Sequence, residues 1–291
     1  MSDGDRAIVV GVDGSESAQA AARWAGAIAE RLHAPLRLVH GMPKLGPNLT
    51  EAAAFFQSAL LTYQADNAEN FLKEAADAVR SERSGLKVTT MATPEPIDDV
   101  LAEASATARV IVLGGMDISP TAAVLLGSTT LKLVTRARCP VIVWRGTHRS
   151  LTSDPVVVGV DDTPGGRAAL AAAFEVAEGL GVALHAVHAW ALRRPRGVTI
   201  PMLTDWEAVE ALQSTALVEL VEEDHRDHQG VEVKCFLELV GPVQALLKHL
   251  DHAQLLVVGN RGRSALAAAA LGSTSLNVLH HATIPVMVCH Q

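Results

Sequence analysis

Residues 8–40, IVVGVDGSESAQAAARWAGAIAERLHAPLRLVH, decide the fold, because the chain contains them twice. Residues 156–188, VVVGVDDTPGGRAALAAAFEVAEGLGVALHAVH, repeat them at an offset of 148, with Asp161 in the place of Asp13 and His188 in that of His40. Each copy begins with a short, continuous apolar run, as expected of a strand covered on both faces. The run stops at an aspartate. A helix follows behind a hydroxyl cap, Ser15 or Ser17 in the first copy and Thr163 with Pro164 in the second. A second apolar run closes each copy at a histidine.

A second repeated block lies downstream. VIVLGGMDISPTAAVLLGSTTLKLVTRARCPVIV, residues 110–143, matches LLVVGNRGRSALAAAALGSTSLNVLHHATIPVMV, residues 255–288. Here Gly114 aligns with Gly259, Gly127 with Gly272 and Pro140 with Pro285, at an offset of 145. Between the blocks each half has a long variable segment (residues 42–60 and 190–205), a long helix, a third strand (KVTTMA, EVKCFLE) and a helix opening after Pro96 or Pro242. The polar stretch GTHRSLTSDP separates the halves, so domains are expected at 1–148 and 153–291. Alternating βαβα order predicts an α/β fold in each. It is a doubly wound, five-stranded parallel sheet with helices on both faces, and its ligands sit at the carboxyl ends of the strands.

The bulk properties exclude several classes. A net charge of −8 gives no basic face for nucleic acid. No apolar run approaches the ~18 residues of a membrane span, and the start MSDGDRAIVV lacks the pattern of a secretory leader. Cys139, Cys235 and Cys289 are too far apart for a CxxC or zinc site and read as buried, reduced thiols of a cytoplasmic protein. His280, His281, His249 and His252 lack the spacing of a metal set, and His40 and His188 read as structural. Neither a Walker A loop, a GxGxxG turn nor a GxSxG elbow is present.

Chemistry gathers at the predicted carboxyl ends. Residues 259–275, GNRGRSALAAAALGSTS, place Gly259 and Gly262 around the turn leaving the fourth strand, with Asn260, Arg261 and Arg263 between and beside them. Glycine there allows close approach of backbone to phosphate and a positive φ. Gly272, Ser273, Thr274 and Ser275 open the last helix, whose free amides and dipole favour an anion. Asp161, ending the first strand, is placed to accept from a ribose hydroxyl or hold Mg²⁺. Ala189, after the second strand, offers backbone groups to an adenine edge. The first-half counterparts are Asp13, Gly41, Gly114, Gly127, Ser128, Thr129 and Thr130.

The GxxG-x9-GS pattern, the aspartate in VGVD and the strand opening with Pro-Val together resemble universal stress proteins, twice over nearly the whole chain, in the tandem form of actinobacterial and mycobacterial members. The resemblance implies an adenine-nucleotide-α-hydrolase-like sheet and ATP, with Mg²⁺, as cofactor. The aspartate would lie on ribose or metal, the residue after the second strand on adenine, and the glycine loop and Gly-Ser on phosphates. It also implies a pseudo-dimer of the two domains through their last strands, a homodimer of chains, and a regulatory role in the stress response through a protein partner the sequence does not name.

The halves are not equal. Asp117 stands where Gly262 stands, Pro120 follows it, and neither arginine is present, so the first phosphate loop is degenerate. A carboxylate beside phosphate is repulsive. Two readings stay open for the first crevice: an ATP site, or a vestige kept for folding and pairing. In the second half Asp162 replaces Gly14 of the DGS turn, facing solvent, capping the helix, weakening triphosphate binding or recruiting metal. For the whole chain, a regulatory ATP-binding protein with at most slow hydrolysis is expected first. The alternatives are an ATPase or phosphotransferase, and a nucleotide-free scaffold.

Overall fold

A computed structural model describes residues 6–42, 51–115, 126–146, 150–190, 206–260 and 271–290. The chain divides into two compact units between Leu151 and Thr152. The first runs β1 (Ile8–Gly11), α1 (Glu16–Arg31), β2 (Leu36–Gly41), α2 (Glu51–Glu82), β3 (Val88–Thr93), α3 (Ile97–Ala104), β4 (Val110–Gly114), α4 (Ser128–Arg136) and β5 (Val141–Trp144). The second repeats it as β6 (Val156–Gly159), α5 (Pro164–Leu180), β7 (Leu184–Ala189), α6 (Trp206–His225), β8 (Val233–Glu238), α7 (Pro242–Leu247), β9 (Leu255–Gly259), α8 (Ser273–His281) and β10 (Val286–Cys289).

Within each unit the strands are parallel. Their order is β3-β2-β1-β4-β5 in the first and β8-β7-β6-β9-β10 in the second. The order reverses between β1 and β4, and between β6 and β9, so the crevice of each unit opens at those carboxyl ends. The central strands are buried from end to end: Ile8, Val10, Ile111 and Ile142 in one sheet, Val156, Val158, Leu256 and Val286 in the other. Alanine-rich helices lie close on them. Trp24 fills the core under α1, and Phe174 does so under α5.

Local chemistry sets the helix starts. Ser15, not Ser17, caps α1, its Oγ accepting from the Ala18 N–H at 3.2 Å. Thr163 caps α5 through the Gly166 N–H at 3.0 Å, with Pro164 in the first turn. α5 ends on Gly181 at φ 68°, a left-handed cap suited to glycine. His33 holds that conformation after α1, at φ 51°. Two boundaries differ from expectation. α2 already starts at Glu51, inside the stretch read as variable, because EAAAFFQSAL is free of glycine and proline and rich in helix formers. α7 opens at Pro242 itself, behind Gly241, since proline in the first turn forfeits no helical hydrogen bond.

The cysteines need a correction. Cys139 and Cys289 are buried, but Cys235 is exposed on β8, which pairs only with β7 within its unit. Sequence reading missed this because a strand at a sheet edge buries one neighbour fewer. Burial pushes the Cys139 thiol up to about 11. Crowding around the sulfur, with the Glu222 carboxylate adding to it, also raises the Cys235 thiol above its ordinary value. The native chain is therefore expected to take up one equivalent of maleimide, at Cys235. The rate should keep climbing with pH past the usual thiol range, since the thiolate is the nucleophile. Cys235→Ser should abolish native labelling; uptake at Cys139 or Cys289 without denaturant would contradict the burial described.

Candidate functional site

In the second unit the carboxyl edge is a chain of contacts. Asp161 follows β6, and its Oδ1 accepts from both the N–H and the Oγ1–H of Thr163. That turn delivers the first turn of α5 onto the aspartate. A Cβ on Gly166 would lie 2.2 Å from Asp161 Oδ1, so only glycine fits there. The same helix turn packs against the end of β9: a Cβ on Gly259 would lie 2.5 Å from the carbonyl carbon and oxygen of Gly165. Gly259 in turn meets α8, since the buried Ser275 donates its hydroxyl to the Gly259 carbonyl at 2.5 Å. One residue on, the Asn260 carbonyl accepts from the Gly272 N–H at 2.7 Å, and the Asn260 N–H donates to Cys289 O at 2.8 Å. Asp161, Gly259, Asn260, Gly272 and Ser275 are thus brought together.

Three of these residues do other work than expected. Gly259 does not take a positive φ, and its missing side chain makes room for helix backbone. The Ser275 hydroxyl proton is spent on that tie, which leaves its N–H as the group able to donate to an anion. Asp161 Oδ1 is committed to the turn, whereas Oδ2 accepts none of the hydrogen bonds found among the described residues. Asn260 is 6% exposed and its Oδ1 has no hydrogen-bond partner among the described residues. Gly272 caps α8 without a side chain, so the first-turn amides of Ser273, Thr274 and Ser275 have no acceptor inside the helix. Arg261, Gly262 and Arg263 lie outside the described residues.

Ala189 is the last residue of β7 rather than a residue beyond it. It pairs with Glu238 on the β8 side, and the following Trp190 N–H donates to Glu238 O at 2.8 Å. Toward β6 the ladder has already stopped, at Gly159 and Val187. Neighbouring residues of a strand direct their polar groups to opposite sides. Val187 accepts from the Val160 N–H on the β6 side, so the Ala189 N–H and C=O face that same side, where no strand continues.

Asp162 points outward. It accepts from Arg167 Nε and Nη2 at 3.1 and 2.9 Å, and Arg167 also reaches Glu223 at 2.6 Å. The Glu223 and Asp162 carboxylates raise the Arg167 pKa. Its reading as a solvent-facing group therefore describes its position, with an ion pair added.

The first unit repeats the frame with different fittings. Asp13 Oδ1 accepts from the Ser15 N–H and Oγ–H at 3.0 and 2.6 Å. A Cβ on Gly114 would lie 2.7 Å from the Ala18 nitrogen and the Ser17 carbonyl carbon, the same close approach as at Gly259. Gly41 ends β2 beneath the start of α3, its would-be Cβ 2.5 Å from the Ile97 nitrogen. Gly127 caps α4, which opens with Ser128, Thr129 and Thr130, but no bond from the Gly127 N–H to Gly115 O matches that of Gly272 to Asn260. Asp117 lies outside the described residues. Sequence reading missed one feature. Gly14, at φ +84°, carries the Phe71 ring of α2 within 2.5 Å of its would-be Cβ, and that ring lies 5.7 Å from His40. The only available sign was the DG pair itself.

The model of the universal stress protein family matches residues 6–145 and again 152–290. The chain belongs to that family. A universal stress protein of Mycolicibacterium smegmatis is 33% identical over 286 residues, covering 97% of this chain and 96% of its own. One from Mycobacterium tuberculosis is 34% identical over 293 residues, covering 98% and 97%. The crystal structure of a universal stress protein from Archaeoglobus fulgidus matches all of this chain and 99% of its own with a TM-score of 0.72 at 21% identity, a likeness of fold. The tandem architecture is that of these universal stress proteins. No helix among the described residues is long and apolar enough to cross a membrane.

Proposed function

We propose that this universal stress protein binds an adenine nucleotide, ATP with Mg²⁺, in the second unit, and that occupancy tunes its contacts with a regulatory partner in the cytoplasm during stress. One observation carries the reading. Among the described residues, groups without a partner stand on both sides of Asp161: the Ala189 N–H and C=O at the end of β7, and the first turn of α8, which no side chain caps. The first suits a base edge, the second a phosphate, and Asp161 Oδ2 between them suits a ribose hydroxyl or Mg²⁺. No base or lysine clamp is evident for the γ-phosphate, so hydrolysis is expected to be slow. The first unit has the same frame but the altered loop sequence.

Mass spectrometry of denatured protein should find co-purified ATP, and calorimetry should give a stoichiometry of one per chain if one crevice is used and two if both are. Asp161→Asn keeps the turn acceptor and removes the charge. It should weaken Mg²⁺-ATP by about tenfold, the scale of a lost charge-assisted contact. Gly262→Asp, which copies the first loop, should remove binding to the second crevice. Normal affinity in both variants would refute the site. Phosphate release at roughly 1 s⁻¹ or more would make the protein an enzyme instead. The resemblance alone supports pairing of the domains through their last strands and association of two chains, which light scattering tests for the latter.

A further inference from the structure

Both units end their second strand with histidine, and both histidines do the same thing. His40 Nδ1 lies 2.7 Å from Val12 O, and His188 Nδ1 lies 2.7 Å from Val160 O. A carbonyl only accepts, so Nδ1 carries the proton in each. The carbonyls concerned are not arbitrary. The Val160 N–H still donates to Val187 O at 2.9 Å, as the Val12 N–H does to Val39 O. In a parallel ladder the next rung would run from the Ala189 N–H to Val160 O, and from the Gly41 N–H to Val12 O. Neither rung is made. The imidazole takes the carbonyl that would have closed it.

We propose that His188, and His40 in the first unit, are positioning residues that hold the sheet open by one rung, so that the backbone of Ala189 or Gly41 stays free to read an adenine edge. The proposal rests on the nucleotide reading above and names what makes its base subsite. Ala189 and Gly41 are half-buried and their N–H and C=O find no backbone partner among the described residues, so the open rung at the end of the crevice leaves these groups to water or to a ligand. The N–H and C=O of one residue, pointing the same way, offer one donor and one acceptor. Adenine presents a ring-nitrogen acceptor beside an amino donor, which fits. Guanine presents a ring N–H beside a carbonyl at the same positions, which sets donor against donor and acceptor against acceptor. The histidine touches no ligand. It acts by occupying Val160 O or Val12 O, and in the first unit the Phe71 ring lies against it at 5.7 Å.

The test separates base from phosphate recognition in the full-length chain. His188→Phe keeps a ring and loses the donor; His188→Asn keeps a donor near the Nδ1 position. Affinities are measured for ATP, GTP and inorganic tripolyphosphate, and amide exchange is followed at Ala189. In the Phe variant ATP should weaken by about tenfold and its preference over GTP should shrink, the scale of one or two lost hydrogen bonds, while tripolyphosphate changes by less than about twofold. The Asn variant should recover ATP affinity to within about threefold. Without ligand, the Ala189 amide should exchange freely in the native chain and become protected in His188→Phe, as the rung closes. His40→Phe should do the same at Gly41. ATP and tripolyphosphate weakening in parallel, unchanged ATP affinity in the Phe variant, or a protected Ala189 amide in the native chain would each overturn the proposal. If the native chain binds no ATP, the nucleotide reading fails on its own, and the exchange experiment still decides whether the histidine holds the rung open.

Discussion

Gly259→Ala should cost the second unit about 3 kcal/mol, the upper part of the range for overpacking a close-packed interior, and remove the nucleotide binding proposed for its crevice. A single methyl has this effect because of what it meets. Its carbon would lie 2.5 Å from the Gly165 carbonyl group and 3.0 Å from the Gly166 nitrogen. These are backbone atoms of the first turn of α5, which cannot rotate away. The turn would have to lift, and Asp161, which Gly166 packs against, would lift with it. Gly159→Ala is the control. Its new carbon would crowd the ends of the Leu246 side chain, at 3.2 and 3.3 Å, and sit at ordinary contact distance, 3.6 Å, from Val258, so a rotamer adjustment costing less than about 1 kcal/mol suffices. Urea unfolding, fitted with separate transitions for the two units, reads both. Equal losses in the two variants would show that the approach of β9 to α5 is not the constraint described. Gly114→Ala should repeat the large effect in the first unit, where the carbon would meet the Ser17–Ala18 peptide.

Phe174→Ala should be at least as severe, at about 3–5 kcal/mol, the usual cost of deleting a fully buried aromatic ring. The ring lies under α5 with His225 and His228 stacked near it, at centroid distances of 5.9 and 5.4 Å and interplanar angles of 19° and 11°. Deleting it leaves a cavity and loosens both imidazoles, one of which meets Glu178 at 2.8 Å. The loss should fall on the second unit's transition alone. The repeat explains why. Gly26 occupies the equivalent position in α1, where a side chain would strike Val79 at 2.9 Å, and the first unit draws its ring from Trp24 instead. Trp24→Ala should therefore shift only the first transition by a similar amount. A loss shared by both transitions would mean the units do not own separate cores.

Much of the fold is legible in residues 8–40 and 156–188. Short apolar runs such as IVVG and VVVG, each closed within a few residues by aspartate, read as strands covered on both sides, and the aspartate and hydroxyl that follow read as the strand's end and a helix cap. Those are local rules, and duplication makes them hard to misread. The start of α2 was less legible, because a run of helix formers carries no boundary of its own. The exposure of Cys235 was hidden for a related reason, since strand order, not strand sequence, makes an edge.

The site divides in the same way. The sequence by itself determined which residues gather at the carboxyl edge, because strand ends and helix starts are set by neighbours in the chain: Asp161, Ala189, Gly259 and the GST of α8. It also showed that the two halves differ, with Asp117 opposite Gly262. What each residue does there was decided only by tertiary structure. Gly259 reads as a phosphate turn and serves as a packing gap, Ser275 reads as a ligand hydroxyl and ties α8 to β9, and His188 reads as structural and holds a rung of the ladder open. The physical reason is distance along the chain. A carbonyl at Val160 and a ring at His188, or a glycine at 259 and a helix turn at 165, become neighbours only when the sheet is assembled, and a linear pattern has no term for which partner each will find.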